Sequence, residues 1–285
     1  MAAELHIHLE GAVAPSDVGL GHVRMGDFGG FLQLFKAISE RLETPEDYAK
    51  ITTKLLRRFL DEGIDYAEIT LSAGVVLWKK QDLNATYQAI RGACMARPEV
   101  RVKWCFDAVR QFGVEPAMRV AEMAAELRDE GVVSFGIGGD ELRGPANLFE
   151  NVYGFARSKG LRLTAHAGET AGPGSIWDAL RIGAERIGHG IRAVEDPALL
   201  RHLRDRNIPL EVCITSNVAT GVVERLEDHP VRRLFDAGVP ITLNTDDPGI
   251  FETSLAREFD IVREAFGFSE SELKTVAGNA YRYAF

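Results

Sequence analysis

The sequence predicts an α/β fold, a (β/α)8 TIM barrel, and three observations support this prediction. Eight short runs rich in β-branched and other apolar residues alternate with amphipathic stretches. Glycines stand where several of the amphipathic stretches end, just before the next apolar run. The length of 285 residues is typical of a barrel that forms one domain. We therefore expect residues 1–285 to form a single domain, with a six-stranded doubly wound sheet as the weaker alternative.

The predicted elements follow one another along the whole chain. Strands are predicted at Glu4–His8, Tyr66–Leu71, Val100–Phe106, Val132–Gly138, Leu161–His166, Glu185–His189, Ile208–Val212 and Val239–Thr245. An amphipathic helix is predicted between the first two strands, where apolar residues recur at helical spacing, at Leu55, Leu56, Phe59 and Leu60. Helices are predicted to end before a strand at Gly63, Gly131, Gly160, Gly183 and Gly238.

Composition narrows the classes of function. The formal net charge of −9 argues against a sequence-independent nucleic-acid surface, because neutralising phosphates requires a basic face. The apolar runs are too short to span a bilayer, and no secretory signal pattern opens the sequence. Three cysteines without C-x-x-C spacing favour a reducing compartment over disulfides or thiolate zinc sites. We expect a cytoplasmic protein without nucleic-acid or membrane partners, and the sequence carries no signal for an oligomeric state.

A connection longer than a minimal barrel needs follows the first predicted strand. Residues 11–42 form a glycine-rich stretch and then an apolar cluster at Phe31, Leu32, Leu34 and Phe35. Because this connection leaves the C-terminal end of the strand, it would lie over the barrel mouth. A lid over a site and a simple packing excursion are both open interpretations.

Metal-competent side chains stand at the ends of the predicted strands. Residues of a strand alternate between two faces, so His6 and His8 point the same way, roughly 7 Å apart. His166 ends the fifth strand and Asp246 follows the eighth, and in a barrel these ends open onto one face. Three imidazole nitrogens and one carboxylate oxygen suit one Zn2+ with an open position for water, although Fe2+ or Mn2+ would accept the same ligands.

The remaining histidines divide into two groups. His189 also ends a predicted strand, so it would lie at the same face of the barrel. His22, His202 and His229 fall in predicted loops or helices, and we interpret them as ordinary polar residues. Each metal-competent residue could be structural when taken alone, but their occurrence together at strand ends favours a metal site.

Six motifs occur in order along most of the chain. They are His6-Ile7-His8-Leu9-Glu10-Gly11, Gly139-Asp140-Glu141, His166-Ala167-Gly168-Glu169, Gly188-His189-Gly190, Cys213 through Ser216-Asn217, and Asn244-Thr245-Asp246-Asp247-Pro248. Together they resemble the adenosine deaminase family of the amidohydrolase superfamily. This resemblance implies a barrel of the metal-dependent hydrolase type, which holds one Zn2+ per chain. It also implies hydrolytic release of ammonia from C6 of a purine nucleoside.

The resemblance implies roles for individual residues. Glu169 would protonate N1 of the purine and so make C6 open to attack by water. His189 and Asp246 would orient that water, with Asp246 also ligating the metal. The implied substrate-binding residues are Asp247 at purine N7, the backbone of Gly139 at N3 and, more loosely, Glu10 at the sugar hydroxyls. Ser216 and Asn217 could support the metal ligands or cap a helix.

Departures from the usual adenosine deaminase pattern bear on the substrate. The Arg and Ser-Pro that commonly follow the second strand are missing from residues 68–74, and Gly136 and Gly138 predict extra room at the fourth strand end. These features are compatible with adenosine or with a nucleoside enlarged at its 5′ end, as in the aminodeoxyfutalosine deaminases of menaquinone synthesis. The candidate cations for a carboxylate on that 5′ substituent are Arg24, Lys79 and Lys80.

Two other classes of function stay open at this point. One is a different hydrolase of the same superfamily, although the chain has glycine where two-metal members often carry a carboxylated lysine. The other is a catalytically silent barrel that binds a ligand, which predicts a broken ligand set. AMP is the less favoured nucleotide substrate, because no clustered Arg/Lys clamp or Gly-rich phosphate loop is present.

Overall fold

A computed structural model describes residues 2–21 and 25–285, and its central feature is a sheet of eight parallel strands. The strands neighbour one another in sequence order and are β1 Ala2–His8, β2 Ile64–Leu71, β3 Arg101–Val109, β4 Val132–Gly138, β5 Arg162–Ala167, β6 Arg186–His189, β7 Leu210–Val212 and β8 Ile241–Leu243. A parallel bridge between Ile7 and Asp246 joins the two edges of the sheet. The predicted barrel is therefore confirmed, and the doubly wound alternative was wrong.

The helices surround the sheet, and the longer ones alternate with its strands. They are α1 Phe28–Glu40, α2 Pro45–Glu62, α3 Ala73–Trp78, α4 Leu83–Met95, α5 Val114–Glu126, α6 Glu150–Ser158, α7 Pro173–Ile182, α8 Pro197–Arg206, α9 Ile214–Ala219, α10 Val231–Asp236, α11 Leu255–Phe266 and α12 Glu270–Arg282. All five glycines predicted to end helices have positive φ angles between 71° and 110°. No helix of the described ranges combines the length and apolar character that crossing a membrane requires.

The ends of α2 show why a helix forms between the first two strands. The Thr44 hydroxyl accepts a hydrogen bond from the backbone N–H of Asp47, and the Asp47 carboxylate accepts one from the backbone N–H of Thr44. Pro45 occupies the first turn, where its missing N–H costs nothing. Gly63 ends the helix at φ 71°, a conformation in which a side chain would be strained.

The last two strands are shorter than predicted. The sequence predicts a strand over Val239–Thr245, whereas β8 covers Ile241–Leu243. Asp246 has a φ angle of 62°, which lies outside the extended region and turns its side chain out of the ladder. The chain after β8 still bonds to β1, since His8 N donates to Asp246 O at 2.8 Å.

Described residues of the segment 11–42 pack against the loop that follows β8. A 3-10 turn at Pro15–Val18 precedes α1, whose Phe31, Leu34 and Ile38 are buried with Ile250 and Phe251. The segment thus has a small apolar core of its own. His22 and Arg24, which carry two predictions of the sequence analysis, lie outside the described residues.

Candidate active site

The C-terminal ends of the strands open into one cavity of about 470 Å3. One side of its lining is polar and consists of His8, Asp107, His166, Glu169, His189, Asp246 and Asp247. The other side, which we call the apolar wall, consists of Phe28, Phe31, Leu32, Phe35, Val75, Trp78 and Phe112. A concave apolar pocket with a few converging polar groups is the usual form of a small-molecule site.

Five side chains meet in what we call the histidine–aspartate cluster, formed by His6, His8, His166, His189 and Asp246. His8 Nε2 lies 3.2 Å from His166 Nε2, and both His6 Nε2 and His8 Nε2 lie 3.3 Å from Asp246 Oδ1. Four ligand atoms also lie within 4.8 Å of one another, one from each of His6, His166, His189 and Asp246. The structure therefore brings the predicted ligands together. The distances alone do not decide whether His8 or His189 is the third histidine ligand.

The hydrogen bonds behind the cluster orient two imidazoles for metal binding. His6 Nδ1 faces Glu211 Oε2 at 2.7 Å, and His166 Nδ1 faces Ile137 O at 3.2 Å. Because a carboxylate and a carbonyl oxygen only accept, each Nδ1 carries the hydrogen and each Nε2 keeps its lone pair for the cluster. His6 Nε2 is buried and has no hydrogen-bond partner among the described residues, so the donor set fits a divalent metal ion.

The electrostatics of the cluster favour a positive charge at its centre. Although burial opposes it, the nearby Asp246 and Glu211 carboxylates raise the pKa of His6 well above its usual value. Burial lowers the pKa of His8 to about 4, and burial followed by the neighbouring histidines lowers that of His166. A site that favours positive charge at one histidine and keeps the other histidines neutral is suited to binding a metal cation.

Two residues of the cluster have backbone conformations that are uncommon for non-glycine residues. His189 has a φ angle of 60° and Asp246 one of 62°. Such conformations cost of order 1–3 kcal/mol and concentrate at functional sites, where the surrounding structure maintains them. Both residues follow or end a strand, and the turn aims their side chains into the cavity.

Glycines leave room for the polar groups rather than for a larger substrate. A Cβ added at Gly136 would lie 3.0 Å from Asp107 Oδ1, and one at Gly138 would lie 2.6 Å from Asp107 Oδ2. The extra room expected at the fourth strand end is therefore filled by the Asp107 carboxyl, which corrects the sequence prediction. Similarly, a Cβ at Gly11 would lie 1.6 Å from Asp247 Oδ1.

Glu169 lies on the loop after β5, and Glu141 holds that loop in place. Glu141 accepts hydrogen bonds from the backbone N–H groups of Gly168, Glu169 and Thr170 at 2.7, 2.9 and 2.8 Å. Burial and then the charges of Asp246 and Glu141 raise the pKa of Glu169 well above its usual value. A raised pKa favours the protonated carboxyl group that a general acid needs.

The predicted substrate-binding residues are placed differently from one another. Asp247 and Gly139 line the cavity, and Asp247 Oδ1 is buried without a hydrogen-bond partner among the described residues. Glu10 is fully buried, accepts from Ser72 N at 3.1 Å, and is not among the cavity-lining residues. The Glu10 carboxylate is thus engaged by the backbone after β2, and its contact with a sugar stays a prediction.

The predicted cations do not line the cavity, whereas two others do. The Lys79 ammonium donates to the carbonyl oxygens of Ser39 and Leu42, so it stabilises the end of α1. Lys36 and Arg143 are the basic side chains among the described cavity-lining residues. Lys80 is absent from this lining, and Arg24 lies outside the described part of the chain.

Sequence reasoning missed or misjudged several residues around the site. Asp107 is 5% exposed and lines the cavity, and burial raises its pKa to about 7. An aspartate at the end of the apolar run of β3 was a signal that could have found it. His229, interpreted as an ordinary polar residue, is 3% exposed and contacts Asn217, which contacts His189. Neither Asn217 nor Ser216 caps a helix, and Ser216 Oγ donates to Asp246 Oδ2 at 2.6 Å.

The comparisons with known proteins all match this chain to deaminases. The sequence model of a family described as adenosine deaminase matches residues 18–285. An aminodeoxyfutalosine deaminase of Streptomyces coelicolor is 36% identical over an alignment of 307 positions. The alignment covers 99% of this chain and 79% of that relative. An adenine deaminase of Rhizobium leguminosarum bv. trifolii is 37% identical over 303 residues, 99% of this chain and 94% of the relative.

A solved structure is similar over the whole chain. The crystal structure of an adenine deaminase from Arthrobacter aurescens superposes with a TM-score of 0.91 at 28% identity. The match covers 100% of this chain and 93% of that structure.

Proposed function

The chain belongs to the adenosine deaminase family and is a metal-dependent hydrolytic deaminase, and we propose that it removes the 6-amino group of a 6-aminopurine nucleoside. The observation that carries the proposal is the histidine–aspartate cluster, four of whose five members line one cavity together with Glu169. A silent binding barrel would lack part of this set. The cavity volume of about 470 Å3 is in the range of small-molecule sites.

We propose that the metal is one Zn2+ held by His6, His8, His166 and Asp246. The nitrogen-rich ligand set and the lone pairs at His6 and His166 support this choice, since imidazole suits zinc. When bound, zinc lowers the pKa of a coordinated water from 15.7 to about 7.

The chain's own residues would then carry the reaction through. Glu169, whose raised pKa favours its protonated form, donates a proton to N1 of the purine, and the electron-poor C6 accepts the oxygen of water. His189 and Asp246 orient that water. The new C6–O bond forms as the water gives up one proton, the amino group takes up that proton by way of a carboxylate, and the C6–N bond breaks to release ammonia. The remaining hydroxyl proton returns to Glu169 and leaves a 6-oxopurine. Asp247 would contact N7, and the backbone of Gly139 would face N3.

We propose that the substrate carries a carboxylate on a 5′ substituent, as in aminodeoxyfutalosine. The apolar wall offers aromatic surface to such a substituent, and Lys36 and Arg143 lie in the same lining. Lys36 Nζ lies 5.5 Å from the Trp78 ring, so a cation and an aromatic surface adjoin. The Streptomyces relative supports this choice, and the adenine deaminases at similar identity make free adenine the second candidate.

We further propose that residues 11–42 act as a lid. Phe28, Phe31, Leu32 and Phe35 of α1 contribute much of the apolar wall, and Phe35 contacts His8 with ring centroids 6.1 Å apart. A segment that packs on the β8 loop and also covers the cavity would exclude water from the reaction.

The test is ammonia release from the zinc-loaded protein with aminodeoxyfutalosine, adenosine, adenine and AMP side by side. The largest kcat/KM is expected for aminodeoxyfutalosine, and a largest value for adenine would replace it by the second candidate. Lys36→Gln and Arg143→Gln should raise KM for aminodeoxyfutalosine but not for adenosine, whereas the exposed Lys274→Gln should change neither. Release from none of the four would contradict the proposed function.

A further inference from the structure

Three side chains form a continuous line of hydrogen bonds behind the cavity. His189 Nδ1 lies 3.1 Å from Asn217 Nδ2, and Asn217 Oδ1 lies 3.1 Å from His229 Nε2. The line ends at the start of α10, where Val231 N lies 3.2 Å from His229 Nδ1. His189 and Asn217 are 1% and 0% exposed and His229 is 3% exposed, so water does not compete for these bonds.

The backbone N–H of Val231, at the end of this line, decides which atom donates in every bond of the line. The backbone N–H of Val231 can only donate, so His229 Nδ1 accepts and the ring hydrogen of neutral His229 is on Nε2. His229 Nε2 then donates to Asn217, which places the amide oxygen of Asn217 on that side. The amide nitrogen of Asn217 therefore faces His189 and donates to its Nδ1.

The charge state of His229 agrees with this direction. Burial lowers the pKa of His229 to about 3, with a further contribution from His189, so the ring is neutral under ordinary conditions. A neutral ring has one donor and one acceptor nitrogen, as the two contacts of His229 require.

We propose that Asn217 and His229 are positioning residues that hold His189 as the tautomer with its hydrogen on Nε2. His189 Nε2 faces the cavity, 3.7 Å from Glu169 Oε2 and 3.8 Å from Asp246 Oδ2. In this tautomer Nε2 donates a hydrogen bond toward the attacking oxygen and has no lone pair for a metal. His8 rather than His189 is then the third histidine ligand, and the proton released by water passes to a carboxylate.

The catalytic part of this inference rests on the proposed function, but the tautomer does not. The test is therefore the 15N spectrum of the histidine rings in the zinc-loaded full chain, with His189 assigned from the signals lost in His189→Gln. The expected spectrum has a hydrogen on Nε2 of His189 and a bare Nδ1. A hydrogen on Nδ1, or a metal-bound Nε2, would overturn the proposal.

Asn217→Asp reverses the hydrogen bond to His189, and only that bond, with little change in shape. A carboxylate accepts on both sides, so the hydrogen of His189 should move to Nδ1. Loss of such an outer partner typically costs 10–100-fold in activity, so kcat should fall by about that factor while KM stays unchanged. The matched control is Asn279→Asp, since Asn279 donates to Ile241 O away from the cavity and should leave the His189 signals unchanged. An unchanged tautomer, or a changed tautomer with unchanged kcat, would contradict the proposal.

A second pair of variants gives an answer if Asn217→Asp does not fold. His229→Gln keeps a donor toward Asn217 and should preserve the His189 tautomer, whereas His229→Leu removes the donor and should give mixed tautomers. Equal His189 spectra in these two variants would overturn the role of His229. Absence of ammonia release in the wild-type protein would instead contradict the proposed function, with the spectra still deciding the tautomer.

Discussion

Two buried clusters of charged side chains lie inside the barrel, and they differ in how their polar atoms are paired. In the first, which we call the salt-bridge network, Arg186 bonds to Glu68 and to Glu211 at 2.6 Å each. In the second, the histidine–aspartate cluster, His6 Nε2 and His8 Nδ1 have no hydrogen-bond partner within residues 2–21 and 25–285. A buried polar atom without a partner costs free energy, so its persistence needs a functional reason.

His6 belongs to both clusters. Its Nδ1 contacts Glu211 of the salt-bridge network at 2.7 Å, and its Nε2 faces Asp246 at 3.3 Å. The hydrogen bond at Nδ1 thereby orients the His6 ring, and Nε2 remains available to bind a metal ion. Of these two clusters, the one whose charges are fully paired supports the other, and the one with unpaired nitrogens faces the cavity.

The largest effect is expected from a change in the open cluster. Glu169→Gln removes the proton donor but keeps its shape, so kcat should fall by about 10²–10⁴-fold, the usual contribution of proton transfer. Metal content and the midpoint of unfolding should stay close to wild type. Ammonia release and metal analysis check this, with the exposed Glu195→Gln as control. Near-wild-type turnover would remove Glu169 from the mechanism.

A second change tests whether the open cluster holds the metal. His166→Ala removes one proposed ligand, so metal affinity should fall by more than about 100-fold, the upper range for loss of an outer partner. Metal analysis after dialysis measures this. His202→Ala is the control, because His202 packs against Trp177 away from the cavity. Full metal occupancy in His166→Ala would contradict the ligand assignment.

A change in the closed network should act on stability. Arg186→Met leaves Glu68 and Glu211 buried without their partner, and breaking such a pair typically costs about 3–5 kcal/mol of unfolding free energy. Denaturant unfolding measures this, and Arg225→Met on the surface should not change the midpoint. Metal affinity should also fall, because Glu211 without Arg186 would no longer be fixed in the position from which it orients His6. Unchanged stability would break the distinction between the two clusters.

The last prediction concerns the pH dependence of stability. The pKa of His229 is lowered from 6.5 to about 3 by burial, so the folded protein keeps this ring neutral. The stability that depends on this neutrality is fully present above pH 6.5 and is lost as pH falls from there toward 3. Comparing unfolding free energies at several pH values should show a steeper loss in wild type than in His229→Gln. Parallel curves would contradict the buried neutral state.

Much of the fold was predictable from local patterns. The alternation of apolar runs and amphipathic stretches predicted eight strands, because strand and helix periods depend on near neighbours. The shortened β8 was not predicted, since its end depends on the positive φ of Asp246 and on bonds to β1. The strand-end positions of His6, His8 and His166 likewise followed from sequence, although their roles stay proposals.

The sequence by itself determined which metal-competent groups stand at strand ends, because strand geometry and parallel order carry such groups to one face. Only the tertiary structure decided what lies behind them. Glu211 and His6 are 205 residues apart, and the line from His189 through Asn217 to His229 depends on one backbone N–H at the start of α10. Such contacts depend on which distant segments approach one another and in what orientation, and no local pattern in the chain encodes that distance or direction.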